Sequence, residues 1–64
     1  MVKINGSLQE AAGMTVSEYL KSADFDTRRI VVEKNQMIIP KAEYDQTVLQ
    51  DGDIVEIISF VGGG

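Results

Sequence analysis

The sequence predicts an α+β domain in which one mixed sheet carries a single main helix across one face. Three observations predict it. Two pairs of short apolar runs are interrupted by turn residues, at Gly6-Ser7 and at Asn35-Gln36, so each pair reads as a hairpin. One segment between them, Val16 to Ala23, has apolar residues at helical spacing. The longest apolar run, Ile54 to Phe60, comes last and follows the turn signal Asp51-Gly52-Asp53.

Taken in order, Val2-Lys3-Ile4-Asn5 alternates, so Val2 and Ile4 are expected to face inward from a first strand. Gly6-Ser7 supplies turn chemistry, and Leu8-Gln9-Glu10 returns as a second strand. Thr15 with Glu18 three residues on matches the capping box that starts a helix. Val16, Tyr19, Leu20 and Ala23 then fall at i, i+3, i+4 and i+7, one apolar face of a short helix ending near Asp24. Phe25 is expected to drop back into the core. Ile30-Val31-Val32 is β-branched, as suits a central strand, and Met37-Ile38-Ile39 pairs back until Pro40, which has no amide to donate. Pro40 to Tyr44 is expected to make one helical turn with Tyr44 inward.

The order is thus β-β-α-β-β-turn-β. With hairpins at both ends, the centre of the sheet is left for the first and last strands, side by side and parallel. This is the β-grasp arrangement, expected over residues 1–60, with 61–64 as a separate tail.

Sixty-four residues make one small domain, and such a chain buries only about 60% of the surface that its unfolded form exposes. An apolar content of 44% is ordinary for a globular chain. There is neither cysteine nor histidine, which removes thiolate chemistry, the commonest general base and the commonest metal ligand. An enzyme is therefore not expected, and no catalytic residue, bound cofactor or metal site is assigned. Ten acidic residues against six basic give a net charge of −4. That balance disfavours nucleic acid, which needs clustered Lys and Arg, and suits a partner with a basic face. Arg28-Arg29 is a lone basic pair and reads as a solvated loop. No apolar run approaches membrane-spanning length and no signal peptide is legible. The expectation is a cytoplasmic protein, monomeric when free.

The tail Val61-Gly62-Gly63-Gly64 is the most distinctive feature. Three residues without a Cβ make a thin, permissive backbone that passes where any side chain would block. Extended, its four residues reach roughly 13–14 Å. It is expected to be mobile in the free protein and to order on entering a partner's channel, with the α-carboxylate of Gly64 as an activatable acyl group. Alternation along the last strand puts Val55 and Ile57 on the helix side, and Ile54, Glu56, Ile58 and Phe60 on the other face. A domain with one helix has nothing of its own to cover that face, so Ile58 and Phe60 are expected to form a partner-binding surface.

These motifs together resemble the ThiS family of ubiquitin-like sulfur carriers. The resemblance rests on Asn5-Gly6 after the opening strand, Gly13-x-Thr15-Val16, Tyr19-Leu20, Ile30-Val31-Val32, Asn35, Ile39-Pro40-Lys41, an aromatic at Tyr44, Asp51-Gly52-Asp53-x-Val55-Glu56-Ile57 and the terminal glycines. It implies that a ThiF-like adenylyltransferase uses ATP to adenylate the carboxylate of Gly64. A sulfur-donor protein then converts it to a thiocarboxylate, and a ThiG-like thiazole synthase receives the sulfur to form the thiazole of thiamine. The chain would act as a co-substrate of these enzymes. A molybdopterin-synthase-type carrier (MoaD-like) shares the fold and terminal chemistry, but that type is often marked by proline shortly before its glycines, where this chain has Ser59-Phe60-Val61. A ubiquitin-like protein modifier and a β-grasp interaction module without terminal chemistry are further alternatives.

Overall fold

The computed structural model describes residues 1–60. Five strands, β1 (Val2–Ile4), β2 (Ser7–Gln9), β3 (Ile30–Lys34), β4 (Met37–Ile39) and β5 (Ile54–Ser59), accompany one helix, α1 (Val16–Ser22). Single 3₁₀ turns cover Thr27–Arg29 and Lys41–Glu43. The expectations placed on Val61, Gly62, Gly63 and Gly64 fall outside the described residues.

The sheet order is β2-β1-β5-β3-β4. β1 and β5 run parallel, and the other neighbours are antiparallel. Each hairpin holds one flank, and β5 closes the gap between them, as the β-grasp reading expects.

Both hairpins close through two residues in the left-handed region: Asn5 and Gly6 (φ 50° and 85°), Asn35 and Gln36 (φ 53° and 71°). Such turns carry the twist that the flanking strands require. The first turn is therefore Asn5-Gly6 rather than Gly6-Ser7. Ser7 pairs with Ile4, so the second strand begins at Ser7 and ends at Gln9. Leu8 lies opposite Lys3 on the outer face and is exposed.

Helix α1 starts as its capping box predicts. The Thr15 hydroxyl accepts from the Glu18 amide at 3.1 Å, and the Glu18 carboxylate accepts from the Thr15 amide at 2.8 Å. Two further first-turn amides find partners across the fold: Val16 donates to the Thr47 carbonyl and Ser17 to that of Tyr44. The helix ends one residue short of the expected face. Ala23 is its C-cap and is exposed. Asp24 takes a left-handed φ of 63°, and the amides of Asp24 and Phe25 return to the carbonyls of Lys21 and Leu20. That is a Schellman closure, with Phe25 packed onto the core beyond it.

The core lies between α1 and the inner sheet face. Val2, Ile4, Ile30, Val32, Val55 and Ile57 come from the sheet, and Val16 and Leu20 from the helix. Ala11, Ile39, Tyr44 and Leu49 complete the core. Tyr19, placed by spacing on the same helical face as Leu20, is only half-buried. Among the described residues no buried side-chain nitrogen or oxygen lacks a hydrogen-bond partner, which limits the penalty that unmatched polar groups would impose.

Candidate functional site

β5 ends one residue before Phe60, the last residue described. It is the central strand, held on both sides, and its end is anchored. Ser59 stands opposite Ile30, and the Phe60 amide donates to the Arg29 carbonyl at 2.8 Å. The chain thus leaves the sheet from a fixed point beside the 3₁₀ turn of Thr27–Arg29.

That turn is itself well built. Asp26 caps it, accepting from the Arg28 amide at 3.0 Å and from Arg28 Nε at 3.1 Å. The Arg28 side-chain hydrogen bond and then the Arg28 amide hold the Asp26 carboxyl below its ordinary value. Arg29 Nε lies 3.9 Å from the same carboxylate. The basic pair is exposed, as expected of a solvated loop. What the sequence did not reveal is that the Arg29 main chain anchors Phe60, just beyond the end of β5.

The outer sheet face takes the expected alternation. Val55 and Ile57 are buried, while Ile54, Ile58 and Phe60 are 55%, 45% and 60% exposed. Ile58 stands opposite Val31, and Glu56 opposite Glu33. Ile38 of β4 and Leu8 of β2 extend the apolar character to both edges, and both are exposed. The structure therefore brings Ile58 and Phe60 onto one uncovered face with Ile38, Ile54 and Leu8. Alternation along the last strand places Ile54 on this face, whereas Ile38 and Leu8 join it only through strand order and register.

Two asparagines missed as structural determinants hold β5 in place. Asn5 Oδ1 accepts from the Ile57 amide at 2.8 Å, and Asn5 Nδ2 donates to the Ile57 carbonyl at 3.3 Å. On the other side Asn35 Oδ1 accepts from the Ile54 amide at 3.0 Å. The only available signal was their position at the closing turns of the hairpins.

Among the described residues no group of three or more carboxylates is placed to hold a metal ion. No described helix is long and apolar enough to cross a membrane.

The fold and the anchored last strand define a β-grasp domain of the ubiquitin-like class. The chain belongs to the ThiS family, whose model matches residues 2–64. It is 40% identical over 50 residues to the sulfur carrier protein ThiS of Bacillus subtilis, covering 78% of this chain and 76% of that one. It is 44% identical over 62 residues to a thiazole synthase of Paramagnetospirillum magneticum, covering 95% of this chain but only 19% of that longer protein. Among solved structures, the thiamine biosynthesis protein ThiS of Geobacter metallireducens superposes with a TM-score of 0.78 at 30% identity, covering 98% of this chain and 97% of that one.

Proposed function

We propose that the chain is a sulfur carrier for thiazole formation in thiamine biosynthesis, with the main-chain carboxylate of Gly64 as its chemical centre. The observation that carries this reading is the family match, which runs through the glycine tail as well as the sheet. The similarity to thiazole synthases supports the thiazole branch over the molybdopterin one.

In the proposed sequence a ThiF-like adenylyltransferase joins the Gly64 carboxylate to the α-phosphorus of ATP, and pyrophosphate leaves. Sulfur from a donor protein then attacks the activated carbonyl carbon. AMP departs with one former carboxylate oxygen. With the sulfur supplied as a donor cysteine's persulfide, this leaves an acyl disulfide. A second thiol then forms a disulfide with the donor cysteine's sulfur, so that the glycine leaves as a thiocarboxylate. That sulfur passes to a ThiG-like thiazole synthase. The carrier contributes no catalytic side chain. Its sheet docks through the face of Ile58 and Phe60, and Val61, Gly62 and Gly63 pass through the partner's channel to present Gly64. The glycines suit such a channel because each lacks a Cβ.

The test is intact-mass analysis after incubation with the adenylyltransferase, ATP and a sulfur donor from the same source. The expected product has one oxygen replaced by sulfur, and fragmentation should put the change on Gly64. Deleting Gly64 would draw the carboxylate back by about 3.5 Å and should abolish the product, because reacting atoms must approach to about 3–3.5 Å. Failure of the parent chain to form either adenylate or thiocarboxylate would reject the carrier reading.

A further inference from the structure

Glu33 and Glu56 stand directly opposite each other where β3 pairs with β5, on the uncovered face. Like charges so placed destabilise a sheet. Among the described residues neither carboxylate has a lysine or arginine nitrogen within 4.0 Å. Lys34, next to Glu33, turns to Asp53 instead, at 3.9 Å. Lys3, the cation whose register puts it on this face, stands opposite Ile54 and not Glu56. The surroundings are apolar: Ile38 is the β4 partner of Glu33, and Ile54 and Ile58 flank Glu56 along β5. Beside the pair opens a groove of about 300 Å³ lined by Glu33, Asn35, Gln36, Ile54 and Glu56.

A repelling pair of carboxylates in the middle of an apolar docking surface calls for a cation from outside. Arginine suits it better than lysine. Its planar guanidinium offers five donors that reach two carboxylates at once, and its weakly hydrated face lies well against isoleucine. In two relatives named thiazole synthase, the stretch matching this chain is 19% and 20% of a longer polypeptide. That places a domain like this one and the named activity in one molecule. Resting on the docking reading above, we propose that the groove between Glu33 and Glu56 receives an arginine side chain of thiazole synthase when that enzyme covers the outer sheet face.

The experiment measures binding of the 64-residue chain to thiazole synthase from the same source by calorimetry, at low and high salt. The double substitution Glu33→Gln with Glu56→Gln should weaken binding about tenfold, the scale of losing charge-assisted hydrogen bonds. It should also flatten the salt dependence. In the free domain the same double variant should unfold at a higher midpoint, because the repulsion is gone. Unchanged affinity and salt dependence in the double variant, with binding lost in Ile58→Asp, would overturn the arginine seat and leave the docking face standing. Undiminished binding by Ile58→Asp, or no binding by the parent chain, would overturn both. A double variant less stable than the parent would also overturn the seat, since the carboxylates would then be serving the fold.

Discussion

Asn35 pairs with Ile54 as though its side chain were a piece of main chain. Its amide donates to the Ile54 carbonyl at 2.7 Å, while its Oδ1 accepts from the Ile54 amide at 3.0 Å. Its Nδ2 donates to Asp53 Oδ1 at 3.0 Å. One turn residue thereby ties the second hairpin to the start of β5. Asn35→Ala is expected to lower stability by about 2 kcal/mol, from two side-chain hydrogen bonds of roughly 1 kcal/mol each. Asn35→Gly keeps the left-handed turn accessible while losing the same bonds, so it should cost less. Urea denaturation of the two variants separates the terms, and equal losses would show that backbone conformation contributes nothing.

Gln36 sits beside it at φ 71° with a side chain where such a turn prefers glycine. The left-handed region costs an L-residue roughly 1–2 kcal/mol. Gln36→Gly should therefore stabilise the domain by about 1 kcal/mol, after allowing for the greater freedom of glycine in the unfolded chain. A lower thermal midpoint would contradict this account of the turn.

Ile57 and Ile58 are neighbours with opposite fates. Ile57 is 7% exposed and Ile58 45%. Ile57→Asp places a carboxylate in the core without a partner and should unfold the domain, since such burial costs several kcal/mol and more. Ile58→Asp should leave the circular dichroism spectrum and the thermal transition in place. A folded Ile57→Asp variant would show that the inner face tolerates water.

Asp53 predicts the acid limb of stability. Burial disfavours its charge, but the Gln50 amide, the Asn35 side-chain amide and Lys34 together outweigh that effect and lower its pKa from 3.8. The unfolded chain then takes up the proton more readily than the native one. The contribution is present above 3.8 and is lost as pH falls through the lower native value. Asp53→Asn should lower stability near neutrality by about 1–3 kcal/mol, because the amide group sets a donor against a donor. It should also make the loss of stability below 3.8 shallower. A variant with the parent's full acid slope would assign that slope to other carboxylates.

The helix was the most legible element, and the reason is local. A capping box and an i, i+4 contact act within one or two turns of chain, so Thr15, Glu18, Val16 and Leu20 declare themselves without reference to anything distant. Its end was less legible, because Asp24 holds a position where glycine is the familiar signal. The first hairpin was visible as a hairpin but displaced by one residue, since Asn5 serves as turn and clamp at once. The face of Ile58 and Phe60 was legible from period-two alternation alone.

The sequence by itself determined the β-grasp order of elements, the inward set Val2, Ile4, Val55 and Ile57, and the family to which the tail pointed. Each follows from short-range pattern, which does not need to know its neighbours. Only the tertiary structure decided that Asn5 and Asn35 grip β5 from its two sides, that Phe60 is fixed to Arg29, and that Glu33 meets Glu56 on the open face. These are relations between residues about 20 to 50 positions apart, set by strand register. Register is chosen by burial of the whole inner face at once, a cooperative outcome that no local stretch of sequence encodes.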